Sequence, residues 1–239
     1  MSALSKNLKS NPLDFNKLAQ ATWGTRLKPL WMLLFALAVA TLNPLAQAQT
    51  QTAAAGTILV VGDSLSAEYG LKRGTGWVPL LVQQLSAEKS PMKVVNASIS
   101  GDTTSGGRSR LAALLKRYKP AVVVLELGGN DALRGLPLNM TEQNLSAMTQ
   151  AAQKTGAIVL LVGMQVPPNY GSAYAASFSG LFLKIAKAEK VALVPFFLKG
   201  IADASDATAQ FQADRIHPNA QAQPKMLANV WPELKKLIP

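Results

Sequence analysis

The chain contains no cysteine and a single histidine among its 239 residues. Disulfides are excluded as a source of stability, and packing must supply it instead. One imidazole and no thiol also leave too few soft ligands for zinc, so no metal is expected. Aromatic residues are scarce at 6%, and the 13 acids are outnumbered by 24 lysines and arginines. The bases are dispersed and never form a block interleaved with aromatics, which argues against nucleic-acid binding. A weak contact with anionic membrane surfaces is compatible with the charge, although a solvated basic surface is the simpler account. No glycine-rich phosphate loop is present, so a phosphate-handling reading built on Asp63 finds no support and no cofactor is expected.

What is present begins with a leader. Lys6, Lys9, Lys17, Arg26 and Lys28 stand in a segment whose single acid is Asp14. An apolar run over 30–42 follows, then Ala46-Gln47-Ala48. Basic segment, short apolar core and small-x-small site in that order read as a secretory signal peptide over 1–48. The apolar run of about 13 residues is shorter than the roughly 20 that span a bilayer, which disfavours a membrane anchor. Cleavage after Ala48 removes five bases and one acid, taking the formal net charge from +11 to +7. The expected product is periplasmic or secreted, with a Gln/Ala/Thr linker over 49–56 and one domain over 57–239. A monomer is expected.

Within that domain short apolar runs alternate with amphipathic ones. Strands are predicted over 58–61, 94–99, 121–127, 158–162 and 191–194, rich in Val, Ile and Leu and apolar on both faces, as in a parallel sheet buried under helices. Helices are predicted over 75–87, 109–118, 141–154 and 172–190. A last one over 220–237 should be interrupted or restarted by Pro224 and Pro232. Five strands alternating with helices imply a three-layer α/β/α sandwich around a five-stranded parallel sheet. Such sheets carry their sites at the carboxyl ends of the strands. Gly62-Asp63-Ser64 follows the first strand, Gly101 the second and Gly128-Gly129-Asn130-Asp131 the third, all on one rim. Asp214 and His217 fall in a loop after the last strand that can reach it.

His217 is the one side chain here with an unperturbed pKa near neutrality. Asp214, three residues earlier, can take its second ring nitrogen, though Asp-x-x-His also makes an ordinary turn. Ser64, in an expected strand–turn–helix setting, is a nucleophile once a base removes its proton; alone it reads first as a turn and helix cap. The run is not Gly-x-Ser-x-Gly, which argues against the nucleophile elbow of α/β-hydrolases. Gly101 and Asn130 could supply oxyanion donors, or belong to plain loops.

Four segments in register decide between these readings: Gly62-Asp63-Ser64-Leu65-Ser66, Asn96-Ala97-Ser98-Ile99-Ser100-Gly101-Asp102, Gly128-Gly129-Asn130-Asp131 and Asp214-Arg215-Ile216-His217-Pro218-Asn219. Their order and spacing resemble the GDSL or SGNH hydrolases. Leu125-Glu126-Leu127, Leu133-Arg134-Gly135 and Val194-Pro195-Phe196-Phe197 look most like the bacterial periplasmic thioesterase, lysophospholipase and arylesterase branch. The resemblance implies a flavodoxin-like SGNH fold and a serine hydrolase of carboxylic esters and thioesters. Small aryl esters, acyl thioesters or lysolipids would be its substrates. It implies Ser64 as nucleophile, His217 as base and Asp214 as its orienting partner. The oxyanion hole would comprise the Ser64 and Gly101 backbone N–H groups and the Asn130 side chain. Asp63 and Asp131 would brace their loops. The segments Ala67-Glu68-Tyr69 and 133–139 would set acyl-chain preference. An acetylesterase of surface polysaccharide and a non-catalytic exported binding module are the alternatives.

Overall fold

The computed structural model describes residues 56–239, so the leader and all but the last residue of the linker lie outside the described residues. Five strands form one sheet: β1 (Thr57–Gly62), β2 (Lys93–Asn96), β3 (Val122–Glu126), β4 (Ile158–Val162) and β5 (Ala192–Val194). Their order is β2-β1-β3-β4-β5 and every neighbouring pair is parallel. The centre of the sheet consists of Ile58 to Val61 and Val122 to Leu125, all of them inaccessible to solvent or nearly so. With helices on both faces, neither side of these strands meets water, which is why their sequences do not alternate.

Among the described residues the sheet is joined by six α-helices: α1 (Trp77–Ala87), α2 (Thr104–Tyr118), the short α3 (Gly129–Leu133), α4 (Leu138–Lys154), α5 (Ser172–Glu189) and α6 (Gln223–Lys235). α1 packs on α6, while α4 packs between α2 and α5. Each long helix turns one stripe inward, such as Trp77, Val78, Leu81 and Leu85 on α1. On α5 the stripe is Phe178, Leu181, Phe182 and Ile185. Among the described residues no helix is long and apolar enough to cross a membrane.

Several boundaries differ from expectation. The β2 ladder ends at Asn96 instead of 99, its last pair being Val60 with Asn96, although the Ala97 and Ile99 N–H groups still donate to the Val60 and Gly62 carbonyls at 2.8 and 3.1 Å. α2 starts at Thr104, five residues before the apolar pattern does, because Thr103 accepts the Gly106 N–H and the buried Asp131 carboxylate accepts the Thr104 N–H. α6 runs unbroken. Pro224 lies in its first turn, where a missing N–H costs nothing, and the helix continues through Pro232 to Lys235. An interior proline costs about 3 kcal/mol. Full burial of Met226, Val230 and Leu234, at roughly 1.5–3 kcal/mol each, outweighs it.

Candidate active site

In a sheet of this order the chain leaves β1 toward β2 on one side and enters β3 on the other. A crevice therefore opens at the carboxyl ends of β1 and β3, where ligands bind in doubly wound sheets. Ser64 lies two residues beyond β1 and Asn130 four beyond β3. A run of turns over 64–70 follows Ser64, and α1 begins at Trp77, two residues after the start of the helix expected over 75–87. Glu68 and Gly70, at φ 60° and 68°, break the right-handed path before it can propagate. The turn itself is firmly tied. The Asp63 carbonyl accepts Ala67 N–H at 2.9 Å, and Asn96 Nδ2 donates to the Ser66 carbonyl at 2.7 Å.

The long connection after β5 folds back on itself through a Phe211–Pro218 bridge and a Gln212 N–H to His217 carbonyl bond of 2.8 Å. Asp214 sits at the tip and does two jobs. Its Oδ1 accepts the N–H groups of Ile216 and His217 at 2.9 and 3.0 Å, closing the turn. Its Oδ2 lies 2.7 Å from His217 Nδ1. The two readings of Asp-x-x-His are thus compatible in one side chain. The backbone N–H of His217, followed by other bonds to the same carboxylate, holds Asp214 down at a pKa of about 2. From the far side of the ring, His217 Nε2 stands 2.9 Å from Ser64 Oγ. Tyr69 lies over the imidazole with ring centroids 4.3 Å apart. An aligned hydroxyl, imidazole and carboxylate can draw a proton off the oxygen and stabilise the resulting imidazolium.

Among the described residues, the N–H groups of Ser64 and Gly101 donate to no protein acceptor. Gly101 adopts φ +78°, a conformation that glycine takes without strain. Arg134 grips its carbonyl at 2.7 Å, linking the loop after α3 to the loop after β2. Gly128 is at φ +119°, with Phe182 3.3 Å from where a Cβ would stand, so a side chain there would be both strained and crowded. This places Asn130 in the first turn of α3, with Nδ2 donating to Asp63 Oδ2 at 3.1 Å. Asp131, buried behind it, accepts from the Thr104 amide and hydroxyl and from Thr141.

Several supporting residues were not singled out in the sequence. Glu126, at the end of β3, is buried, and its Oε2 accepts Ser66 Oγ–H at 2.7 Å and Asp63 N–H at 3.3 Å. Burial, then the nearby Asp63 charge, pushes its carboxyl well above the usual range. Arg110 pairs with Asp102 at 2.8 Å and also donates to the Ala97 carbonyl, fixing the Gly101 loop. Gln223 joins the histidine loop to α1, accepting Trp77 N–H at 3.0 Å and donating to the Asn219 carbonyl at 3.2 Å. A charged residue closing an otherwise apolar strand was the available signal for Glu126; nothing local marks Gln223. Among the described residues no three His, Cys, Asp or Glu side chains cluster as metal ligands would.

Residues 60–223 match the model of the GDSL-like lipase/acylhydrolase family. The chain belongs to that family. An esterase of Pseudomonas aeruginosa named TesA is 54% identical over 189 residues, covering 79% of this chain and 92% of that protein. The "Thioesterase 1/protease 1/lysophospholipase L1" of Escherichia coli is 42% identical over 79% of this chain and 88% of its own length. In structure, this acylhydrolase is similar to crystalline TesA, at 54% identity, TM-score 0.73 and coverage of 76% of this chain and 99% of that one. The esterase EstA of Pseudoalteromonas, solved with monoethylphosphonate as inhibitor, has a TM-score of 0.71 at 42% identity over 76% of this chain and 97% of its own. This acylhydrolase is accordingly a carboxylic ester hydrolase with the SGNH fold.

Proposed function

We propose that the enzyme hydrolyses esters and thioesters through a covalent acyl-enzyme on Ser64. His217 Nε2 removes the proton from Ser64 Oγ as the oxygen attacks the substrate carbonyl. The carbonyl π electrons move onto oxygen, and that oxyanion takes the free N–H groups of Ser64 and Gly101 and one Nδ2 hydrogen of Asn130. Asp214 keeps the ring in the tautomer with hydrogen on Nδ1 and favours the imidazolium without becoming protonated. Collapse expels the alcohol or thiol, which takes the proton from Nε2. Water, deprotonated by the same nitrogen, then repeats the attack and releases the acid.

The observation that carries this reading is the pair of contacts on one ring: 2.9 Å to Ser64 Oγ and 2.7 Å to the Asp214 carboxylate. Its test is Ser64→Ala, which should remove hydrolysis of a nitrophenyl ester by roughly 10⁴-fold or more, with the circular dichroism and melting profile of the native protein. A purified, folded variant that retains full activity contradicts it.

Aryl esters, acyl thioesters and lysophospholipids are the substrate classes that fit best. The names of the two bacterial relatives span esterase, thioesterase and lysophospholipase activity. Tyr69, Leu133 and Ile216 stand half-exposed beside Ser64, Asn130 and His217 and offer apolar contacts to an acyl chain. A panel of nitrophenyl esters of increasing chain length tests this, since an acetylesterase would lose activity beyond the two-carbon acyl group. The basic and apolar leader is read as an export signal, cleaved after Ala48, that delivers a monomer to the periplasm. Mass determination of the exported protein tests the cleavage site.

A further inference from the structure

The mechanism needs Asn130 to present a hydrogen, not its amide oxygen, to the developing oxyanion. A side-chain amide has two nearly isosteric orientations, so something must choose between them. The neighbour of Asn130 in this position is Asp63, a carboxylate only 2% exposed and not consumed by the reaction. We infer that Asp63 is a positioning residue that locks the Asn130 amide in its donating orientation and ties it to the turn bearing Ser64.

Three bonds carry the inference. Asp63 Oδ2 accepts one Nδ2 hydrogen of Asn130 at 3.1 Å, leaving the second for a ligand. An ionised carboxylate is an acceptor only, so the opposite amide orientation would face oxygen against oxygen. Asp63 Oδ1 accepts the N–H of Leu65 at 3.0 Å, the residue next to Ser64. The backbone N–H of Asp63 is in turn held by Glu126 at 3.3 Å, so its own position is set from the end of β3. One carboxylate therefore spans the crevice between β1 and β3 and sets the register of hydroxyl against amide.

This support is pH-sensitive. Burial raises the Asp63 pKa to about 6, against the lowering effects of the Leu65 N–H, His217 and Asn130. The charged or titratable groups facing it are His217 from the C-terminal loop, Asp102 from the loop after β2 and Glu126 from β3; Arg110 reaches the adjacent Gly62 carbonyl from α2. A protonated Asp63 must donate from one oxygen, and that hydrogen meets either Asn130 Nδ2 or the Leu65 N–H. The donating orientation of Asn130 is then no longer enforced.

The test is a double-mutant cycle in the otherwise complete enzyme with a nitrophenyl ester. In Asp63→Asn the new amide can satisfy Leu65 with its oxygen, but it then turns its NH₂ toward Asn130 and favours the wrong flip. This variant should lose about 10- to 100-fold in kcat with KM little changed, approaching the loss from deleting an oxyanion donor outright. In an Asn130→Ala background the same substitution should cost less than about 3-fold, because the group it acts through is gone. Equal losses in the two backgrounds, or a loss confined to KM, overturn the inference. The inference rests on the proposed role of Asn130. Full activity of Asn130→Ala alone would refute that role instead, so the two failures are distinguishable. The pH profile of kcat/KM is a second readout and needs no variant. On the acid side of that profile the native enzyme should show an added partial step, no larger than about 100-fold, centred near the Asp63 pKa of about 6, and Asp63→Asn should lack that step. A native profile without that step overturns the inference even if the variant does not fold.

Discussion

The two halves of the site are built differently. The half at the crevice between β1 and β3 is buried: Asp63, Asp131 and Glu126 are all within 3% of complete burial and bonded to residues far away in sequence. The half after β5 is open. The Asp214 side chain is 36% exposed, and its bonds run to residues two and three positions on. Buried polar groups are expensive when unpaired, so deleting one of these buried carboxylates outright should cost stability. The second half is shaped by local turns and tied back through Gln212 to Tyr69 and through Gln223 to α1, so loss of the Asp214 or His217 side chain should cost chemistry while the fold survives.

Substitutions can break this contrast. The largest effect is expected at His217: alanine there should lower kcat by roughly 10⁴-fold or more with almost unchanged stability, since nothing else in the chain can act as the base. Loss of cooperative unfolding in that variant would instead make the loop part of the structural core. Asp131→Ala should show the reverse pattern. Three polar partners from α2 and α4 lose their acceptor, at about 1–3 kcal/mol for each buried group left unpaired. At about 2–4 °C per kcal/mol for a chain of this size, the melting temperature should fall by several degrees or more. Tyr69→Ala is the gentlest. Loss of its ring contact with His217 should cost about 3- to 10-fold in kcat/KM, in line with about 0.5–1.5 kcal/mol for such pairs.

pH separates the halves as well. Asp63 and Glu126 have pKa values raised in the fold. Their contribution to stability is full below the unfolded carboxylate range and lost as pH rises through the folded values, about 6 for Asp63. Asp214, depressed to about 2, contributes above its unfolded value and loses that contribution as pH falls through about 2. Between pH 7 and 5 the buried pair should therefore raise the melting temperature while ester hydrolysis declines. Parallel decline of both would mean that these acids are not strained when charged.

This division also explains what was legible in the sequence. β1, β3 and β4 were readable because burial on both faces demands unbroken Val, Ile and Leu. Ser64 and Asn130 were locatable because short polar words follow those apolar runs, and His217 because it is the single histidine, with Asp214 three residues before it. The first turn of α2 was not readable, since Thr104, Ser105, Gly106 and Gly107 carry no apolar period and depend on Asp131, 27 residues away. Gln223 and Arg110 were invisible for the same reason: their partners are set by tertiary proximity, which no local spacing encodes. Pro232 misled because propensity was weighed without the burial of Val230 and Leu234 on either side.

The most direct measurement is the mass of the protein quenched in acid during turnover of an aryl ester. The account requires an added acyl group, located on the peptide containing Ser64 and missing from Ser64→Ala. Turnover with no adduct in rapidly quenched samples, or with the acyl group on another residue, would contradict it.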